Sequence, residues 1–165
     1  MSTLAFPIVV AIVTPDIRAA VLALSVRPEQ AAFVGPVQVS LLDAEQCAGS
    51  TPMAILRDGV PIGYYRIEHA ASSVVDRDFE VPSIGLRSFF IDTAWQGRGL
   101  GQPVMTALIR DMATRHHEAR QVVLTVNCRN TAALALYCRA GFVQHGGLYH
   151  GGRAGPQHVL VRPLP

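Results

Sequence analysis

A glycine-rich turn is the segment of this sequence best suited to bind a phosphate group. It reads QGRGLG from Gln96 to Gly101 and lies between a predicted strand and a predicted helix. Its three glycines let the backbone turn tightly and approach a ligand without clashes from Cβ atoms. Unpaired N–H groups at the start of the helix and the helix dipole both favour a negative charge there. The turn therefore predicts a pyrophosphate site, with Arg98 adding a positive charge at its rim.

Three residues in or beside the turn are the best candidates to donate backbone hydrogen bonds to such a ligand. Pro103 has no N–H group, so Gly99, Gly101 and Gln102 are better donors. The turn differs from a P-loop because no Gly-Lys-Ser/Thr follows it, and from a dinucleotide-binding fingerprint in its glycine spacing. A glycine loop without a ligand is the alternative that the turn alone leaves open.

A second segment, NCRNTAALALYCRAGF from Asn127 to Phe142, supplies a coupled motif further along the chain. Together the two segments resemble the GNAT superfamily of N-acetyltransferases. Its members carry Gln/Arg-x-x-Gly-x-Gly/Ala after the fourth strand, and later two Asn residues, Ala-x-x-Leu-Tyr and Gly-Phe. The resemblance extends from about Leu86 to Phe142 and implies acetyl-CoA as the co-substrate. It also implies transfer of the acetyl group to a primary amine by direct attack in a ternary complex.

The resemblance implies an α/β (α+β) GNAT fold in one domain that spans residues 1–165. Its central mixed sheet has about seven strands, mostly antiparallel, flanked by helices. Strands four and five, predicted at 86–92 and 121–127, splay apart, and the pantetheine arm pairs with the backbone of the fourth strand as an added strand would. The cofactor-binding residues implied are Phe90, Ile91, Asp92, Gln96, Gly97, Arg98, Gly99, Leu100, Gly101, Gln102, Asn127 and Asn130.

Tyr137 is the residue to which the resemblance assigns chemistry. In the family pattern its hydroxyl faces the thioester sulfur and protonates the departing thiolate, and a positioned general acid contributes about 10²–10⁴-fold. The alternative is that the ring only packs under the cofactor. For Asn130, a helix N-cap is an alternative that is compatible with cofactor binding.

The proton acceptor is less clearly marked in the sequence. The amine must arrive neutral, so a carboxylate or a water chain has to take its proton. Some family members place a Glu early in the fourth strand, but residues 83–86 contain no acid here. Glu68, at the end of the predicted third strand, is the nearest candidate base, and a surface carboxylate is the other interpretation of it. A backbone N–H near Ile91 is predicted to stabilise the thioester oxygen.

The sequence predicts no metal site. Cys47, Cys128 and Cys138 have no metal-ligand or redox spacing, and no histidine pairing suggests converging ligands. Three cysteines without a pairing pattern are typical of reduced thiols, so we expect a cytoplasmic protein.

Composition argues against nucleic acid and membrane partners. The net charge is +2, and the basic residues, all of them Arg, are scattered along the chain. The apolar start, LAFPIVVAIV, is too short to span a membrane, lacks the basic leader of a signal peptide and predicts a first strand. Most acids precede Gly85, which favours either a cationic ligand or solvated surfaces; they include Asp43, Glu45, Glu68, Asp76, Asp78 and Glu80.

The elements that must position these residues follow from hydrophobic periodicity and turn signals. Strands are predicted at 8–13, 52–57, 60–68, 86–92, 121–127, 142–149 and 157–162. Helices are predicted at 14–24, 28–33, 40–47, 101–117 and 131–140, with Thr14 and Ser40 as caps, and 70–82 is predicted as a loop. Asp58-Gly59 predicts a tight hairpin. The stripe Val104, Leu108 and Met112 should face the sheet.

The acceptor is a small-molecule amine in the main interpretation. Segments 24–30, 33–34 and 39–41, together with the fourth strand, resemble spermidine-type acetyltransferases of the same superfamily. A protein N-terminus or an antibiotic amine is an alternative acceptor. A catalytically silent acyl-CoA-binding or sensing domain is an alternative from another class. The family also suggests a homodimer.

Overall fold

The computed structural model describes residues 7–165 and contains a seven-stranded mixed sheet in the order β1-β2-β3-β4-β5-β7-β6. The strands are β1 Ile8–Ile12, β2 Ser50–Arg57, β3 Val60–Glu68, β4 Ser83–Ile91, β5 Gln121–Asn127, β6 Val143–Gln144 and β7 Gln157–Pro163. The helices are α1 Pro15–Leu22, α2 Val37–Gln46, α3 Ser72–Val75, α4 Gly101–Arg115 and α5 Thr131–Arg139, with 3₁₀ turns at Pro28–Gln30 and Thr93–Trp95. β4 and β5 pair in parallel and the other neighbours antiparallel, which confirms the predicted fold class.

The β2–β3 hairpin forms as its Asp-Gly turn predicts. Arg57 pairs with Val60 across a two-residue turn in which Asp58 has φ 50° and Gly59 has φ 74°. Two consecutive positive φ values match the right-handed twist of the flanking strands, and this requirement favours Asp-Gly.

β4 and β5 separate over most of their length. They pair only where Ser83, Ile84 and Gly85 lie beside Gln121, Val122 and Val123. Past this point β4 is irregular, because its register with β3 shifts near Ser88, which has φ 58°. The two strands therefore diverge and leave an opening in the middle of the sheet.

Both faces of the sheet are covered by helices. On one face the stripe of α4, Val104, Leu108 and Met112, is buried against β2, β3 and β5, as predicted. On the other face α1 and α2 pack on Tyr64 and Phe90. This two-sided packing holds the diverging strands rigidly in place.

Several element boundaries differ from the predictions. α2 begins at Val37, so Ser40 lies inside it, with its hydroxyl 3.1 Å from the hydroxyl of Tyr64 instead of capping the helix. Thr14 does flank α1, but its hydroxyl donates to the Asp16 carboxylate and accepts no hydrogen bond from a backbone N–H of the helix.

The segments on either side of the diverging strands also differ. The predicted loop 70–82 contains α3, β4 begins at Ser83 instead of residue 86, and helix 28–33 is only a 3₁₀ turn. The predicted strand 142–149 pairs with β7 only at Val143 and Gln144 and at an isolated bridge from Tyr149, because a left-handed Gly146 interrupts it. Residues 4–6 of the predicted first strand lie outside the described residues.

Candidate active site

A cleft of about 510 Å³ occupies the opening between β4 and β5. Its walls come from five parts of the chain: segment 26–34, strand β4, the glycine-rich turn, helix α5 with the end of β5, and segment 153–157. The cleft therefore lies where the parallel pairing of β4 and β5 ends, and a bound molecule would contact both halves of the sheet.

The glycine-rich turn lines one end of the cleft. Gly97 and Gly99 both have φ +73°, a backbone conformation that favours glycine, and both line the cleft with Leu100 and Gly101. α4 begins at Gly101, where a Cβ would lie 2.8 Å from Leu136 Cδ1 of α5. A larger residue at this position would require the Leu136 side chain to move. A helix start with its N–H groups on a cleft fits a pyrophosphate.

The side chains of Arg98 and Gln102 are placed outside the cleft lining. The Arg98 guanidinium lies over the Trp95 ring, 4.8 Å from its centroid. The Gln102 amide donates to the Leu136 carbonyl at 3.3 Å and so ties α4 to α5. Only their backbones belong to the turn, and the predicted rim charge of Arg98 is directed onto an aromatic ring.

Three residues at the end of the predicted fourth strand were expected to pair with the cofactor. Phe90 and Ile91 line the cleft, and Asp92, which follows β4, does not. The Asp92 carboxylate accepts hydrogen bonds from the N–H of Ser25 at 2.8 Å and of Ala94 at 3.2 Å. It therefore caps the 3₁₀ turn after β4 and anchors the segment that follows α1.

Gln96 lines the cleft and connects three of its walls. Its amide donates to the Ile91 carbonyl at 2.8 Å, and it exchanges hydrogen bonds with the Gln30 amide at 2.9 and 3.2 Å. These bonds hold the glycine-rich turn against the end of β4 and against segment 26–34.

Asn127 and Asn130 both line the cleft, and their side chains already have protein partners. The buried Asn127 donates to the Ala154 carbonyl at 2.9 Å and accepts from the Arg129 N–H at 2.9 Å. Asn130 accepts from the Ala133 N–H at 3.4 Å and caps α5, which confirms its N-cap interpretation. These bonds fix the shape of the wall opposite β4.

Tyr137 lines the cleft from α5 and is only 7% exposed. Its ring packs between Phe89, at a centroid distance of 6.1 Å, and Phe142, at 5.6 Å and edge-on. Burial alone raises the pKa of its hydroxyl above the ordinary value. The hydroxyl is therefore neutral throughout the physiological pH range and available as a hydrogen-bond donor.

Glu68 lies in a buried ion-pair network and not on the cleft wall. Its Oε1 is 2.7 Å from Arg66 Nε, although that N–H is not directed at the oxygen, and its Oε2 accepts from the Ser50 hydroxyl at 2.6 Å. Arg66 also contacts the Asp43 carboxylate at 2.6 Å. The Glu68 side chain is 5% exposed, so its interpretation as a surface carboxylate is wrong. Its role as base stays a prediction, with no carboxylate oxygen of Glu68 in the cleft lining.

Within residues 7–165, the cleft lining itself carries positive charge and no acid, and Glu68, which contacts Arg87 at 3.5 Å, is not among the lining residues. Among the described residues that line it there is no Asp, Glu, His or Cys, whereas Arg87 and Arg153 are present. The acids of the first half of the chain contact arginines elsewhere: Asp43 and Glu68 contact Arg66, and Glu45 contacts Arg18. Hydrogen bonding from Arg66 lowers the pKa of Asp43, and hydrogen bonding from Arg18 lowers that of Glu45. Ion pairs with arginines, buried in the case of Glu68, thus account for these three acids.

Some lining residues were not among the predicted site residues. Arg87 and Ser88 lie in β4, where the position of a bulge cannot be read from residue types. Arg153 and Gln157 belong to the predicted last turn and strand, which only tertiary packing brings against β5. Phe33 and Gln30 fall in the segment that resembles the polyamine-type enzymes, and this resemblance was the only signal for them.

A family model described as Acetyltransferase (GNAT) family matches residues 19–142, more than half of the chain. The chain belongs to the GNAT acetyltransferase family. The match spans the glycine-rich turn, both asparagines, Tyr137 and the diverging strands. The chain is therefore an acetyl-CoA-dependent N-acetyltransferase.

Known GNAT proteins resemble this chain over nearly its full length. It is 32% identical over 152 residues to the spermine/spermidine N(1)-acetyltransferase of Bacillus subtilis, covering 92% of this chain and 95% of that protein. A solved structure of spermidine N-acetyltransferase from Vibrio cholerae with CoA and spermine superposes with a TM-score of 0.72 at 14% identity, covering 95% of both chains. An aminoglycoside N(6′)-acetyltransferase from Legionella pneumophila gives 0.75 at 13% identity, covering 99% of this chain and 96% of that one. At these identities the two structures show the shared fold alone.

Residues 7–165 contain neither a metal-binding cluster nor a membrane-spanning helix. No group of three or more His, Cys, Asp or Glu side chains is arranged to hold a metal ion. No helix in this part of the chain is long and apolar enough to cross a membrane.

Proposed function

We propose that this protein transfers the acetyl group of acetyl-CoA to a small primary amine by direct attack in a ternary complex. The observation that carries the proposal is the single cleft between β4 and β5, with a glycine-lined helix start at one end and Tyr137 on its wall. Such a cleft gives the two substrates access to each other through the opening in the sheet.

Backbone groups hold the coenzyme in this proposal. The N–H groups of Gly97, Gly99, Leu100 and Gly101 surround the end of the cleft where the helix dipole favours a diphosphate. Beyond Gly85, β4 pairs with β3 but with no described residue of β5, so its edge toward the cleft is open to the pantetheine amides, although the Ile91 carbonyl already accepts from the Gln96 amide. Asn127 and Asn130 shape the opposite wall.

Tyr137 acts as the general acid. The amine nitrogen attacks the thioester carbon, the C–S bond breaks, and the thiolate takes the proton of the Tyr137 hydroxyl, which the tyrosine regains from solvent. The raised pKa keeps this proton in place before the reaction. A β4 N–H near Ile91 stabilises the negative thioester oxygen.

The proton of the amine leaves through water in this mechanism. The described cleft lining contains no carboxylate or imidazole, and the oxygens of Glu68 are occupied by Arg66 and Ser50. The amine thus enters as its neutral form, or loses its proton to a water chain. The rate should then rise with pH toward the pKa of the acceptor amine.

The relatives support a small acceptor, because the Bacillus subtilis protein is named for spermine and spermidine. A cytoplasmic location and a homodimer remain predictions, supported by three unpaired cysteines and by the family respectively.

A thiol-release assay with purified protein tests the proposal. Acetyl-CoA would be offered with spermidine, spermine, aminoglycosides, amino acids, simple alkylamines and peptides. We expect thiol release above the amine-free blank with at least one small amine, and an acetylated product of the matching mass. Tight acetyl-CoA binding without release for any amine would refute the proposal and favour a sensing domain.

A further inference from the structure

Arg87 is a charged side chain in the wall of the cleft that the proposed mechanism does not use. It lies in β4 between the buried Leu86 and the bulge at Ser88, and its side chain is 45% exposed. It belongs to the half of β4 that precedes the residues assigned to the coenzyme. Its position is therefore on the acceptor side of the reacting carbon.

The hydrogen-bonding capacity of Arg87 is largely free. A guanidinium has five N–H donors in a planar fork. Among the described residues, the polar contact of Arg87 is a long one, because its Nη1 lies 3.5 Å from Glu68 Oε1. Glu68 Oε1 also lies 2.7 Å from Arg66 Nε and Oε2 accepts from Ser50 at 2.6 Å, so Glu68 is shared among three groups and accepts from one of the Arg87 donors.

The charges on the cleft lining disfavour a polycationic acceptor, although Glu68, which is not part of the lining, contacts Arg87 at 3.5 Å. Arg153 adds a second positive charge to the lining, and no described lining residue is acidic. A polyamine with several ammonium groups would meet these arginines in a space without a carboxylate to pair with. Segment 26–34 adds the apolar side chains of Val26, Phe33 and Val34 to the lining.

We infer that Arg87 binds a carboxylate of the acceptor, so that the substrate carries a carboxylate as well as the reacting amine. This inference rests on the proposed N-acetyltransferase function and names its substrate class. A planar guanidinium forms two parallel hydrogen bonds with a carboxylate, which orients the acceptor as well as holding it. The apolar lining then receives the body of an amino-acid-like molecule.

Matched acceptor pairs that differ only by a carboxylate test this inference. The pairs are phenylalanine with phenethylamine, and lysine with 1,5-diaminopentane, and kcat/KM for each is measured by thiol release. We expect at least one carboxylated member to be preferred about 10–100-fold, as hydrogen bonds to a charged group allow. Arg87→Gln should abolish this preference by lowering the carboxylated rate alone, and Arg87→Lys should retain part of it.

Arg110→Gln is the control, because Arg110 is an exposed arginine of α4 outside this cleft, and it should keep the preference of the native protein. Preference for the decarboxylated amines in the native protein, or equal loss for both members in Arg87→Gln, would overturn the inference while leaving the acetyltransferase function intact. A lack of turnover with every amine would instead count against the proposed function. Thermal unfolding of each variant separates a binding effect from a loss of folded protein.

Discussion

Replacing Glu68 with Ala should destabilise the protein without removing a catalytic group. The substitution leaves the Arg66 guanidinium, which is 5% exposed, with Asp43 as its remaining charged partner beside the Ser50 hydroxyl, and it leaves that hydroxyl without its acceptor. Breaking a buried pair costs about 3–5 kcal/mol because the other charge stays buried. Since Asp43 still contacts Arg66, we expect the free energy of unfolding to fall by the lower end of this range, about 3 kcal/mol.

A loss of this size is large enough to measure by two independent methods. For a domain of this length, each kcal/mol lowers Tm by about 2–4 °C, so the expected shift is about 6–12 °C. Urea unfolding followed by the fluorescence of Trp95, the single tryptophan of the chain, gives the free energy of unfolding directly. Acetyl transfer should be measured well below Tm, where the variant is folded, and should stay within a few-fold of the native rate.

Glu45→Ala is the matched control for this experiment. It removes the same kind of ion pair, with Arg18, from a surface where the two side chains are 38% and 37% exposed. Exposed pairs contribute less than about 1 kcal/mol, so Tm should hardly change. An unchanged stability of Glu68→Ala would refute the argument from burial. A rate loss of 100-fold or more in fully folded Glu68→Ala would show instead that Glu68 acts as the base.

Three further predictions concern the cleft and the end of α4. Tyr137→Phe should lower kcat about 10-fold or more at unchanged acetyl-CoA affinity, measured by thiol release and calorimetry. Gly99→Val should abolish coenzyme binding in calorimetry, since it forces a branched residue into φ +73° at about 1–2 kcal/mol and adds bulk on the cleft wall. Burial, with the nearby charges of His69 and Arg115, lowers the pKa of His116. The contribution of neutral His116 to the free energy of unfolding should therefore be complete above pH about 6.5 and should fall as the pH drops toward that lowered pKa.

Each of these predictions has a result that contradicts it. A native rate in Tyr137→Phe would remove the acid role and leave only ring packing. Coenzyme binding that survives in Gly99→Val would move the diphosphate away from the turn. For the pH effect, His116→Asn should give a flatter stability profile between pH 7 and 5, and an identical slope in both proteins would exclude His116 as the titrating group.

Local sequence signals determined the features that depend on backbone conformation alone. Asp58-Gly59 predicted a tight hairpin because its two residues accept positive φ, and the glycine-rich turn predicted a sharp bend before α4 for the same reason. The Val104 stripe predicted which face of α4 is buried. Two coupled motifs were enough to recognise the resemblance to the family, and that resemblance implied the diverging strands.

What only the tertiary structure decided is the chemical state of individual polar side chains. The Asp92 carboxylate caps a turn and accepts from Ser25, 67 residues away, and the Glu68 carboxylate is shared by Arg66 and Ser50. Arg87 keeps unused donors because its contact with Glu68 is a single long one. Hydrophobic periodicity and turn propensity act over a few residues, whereas partners, burial and charge balance depend on segments distant in sequence, so residue types alone could not assign these roles.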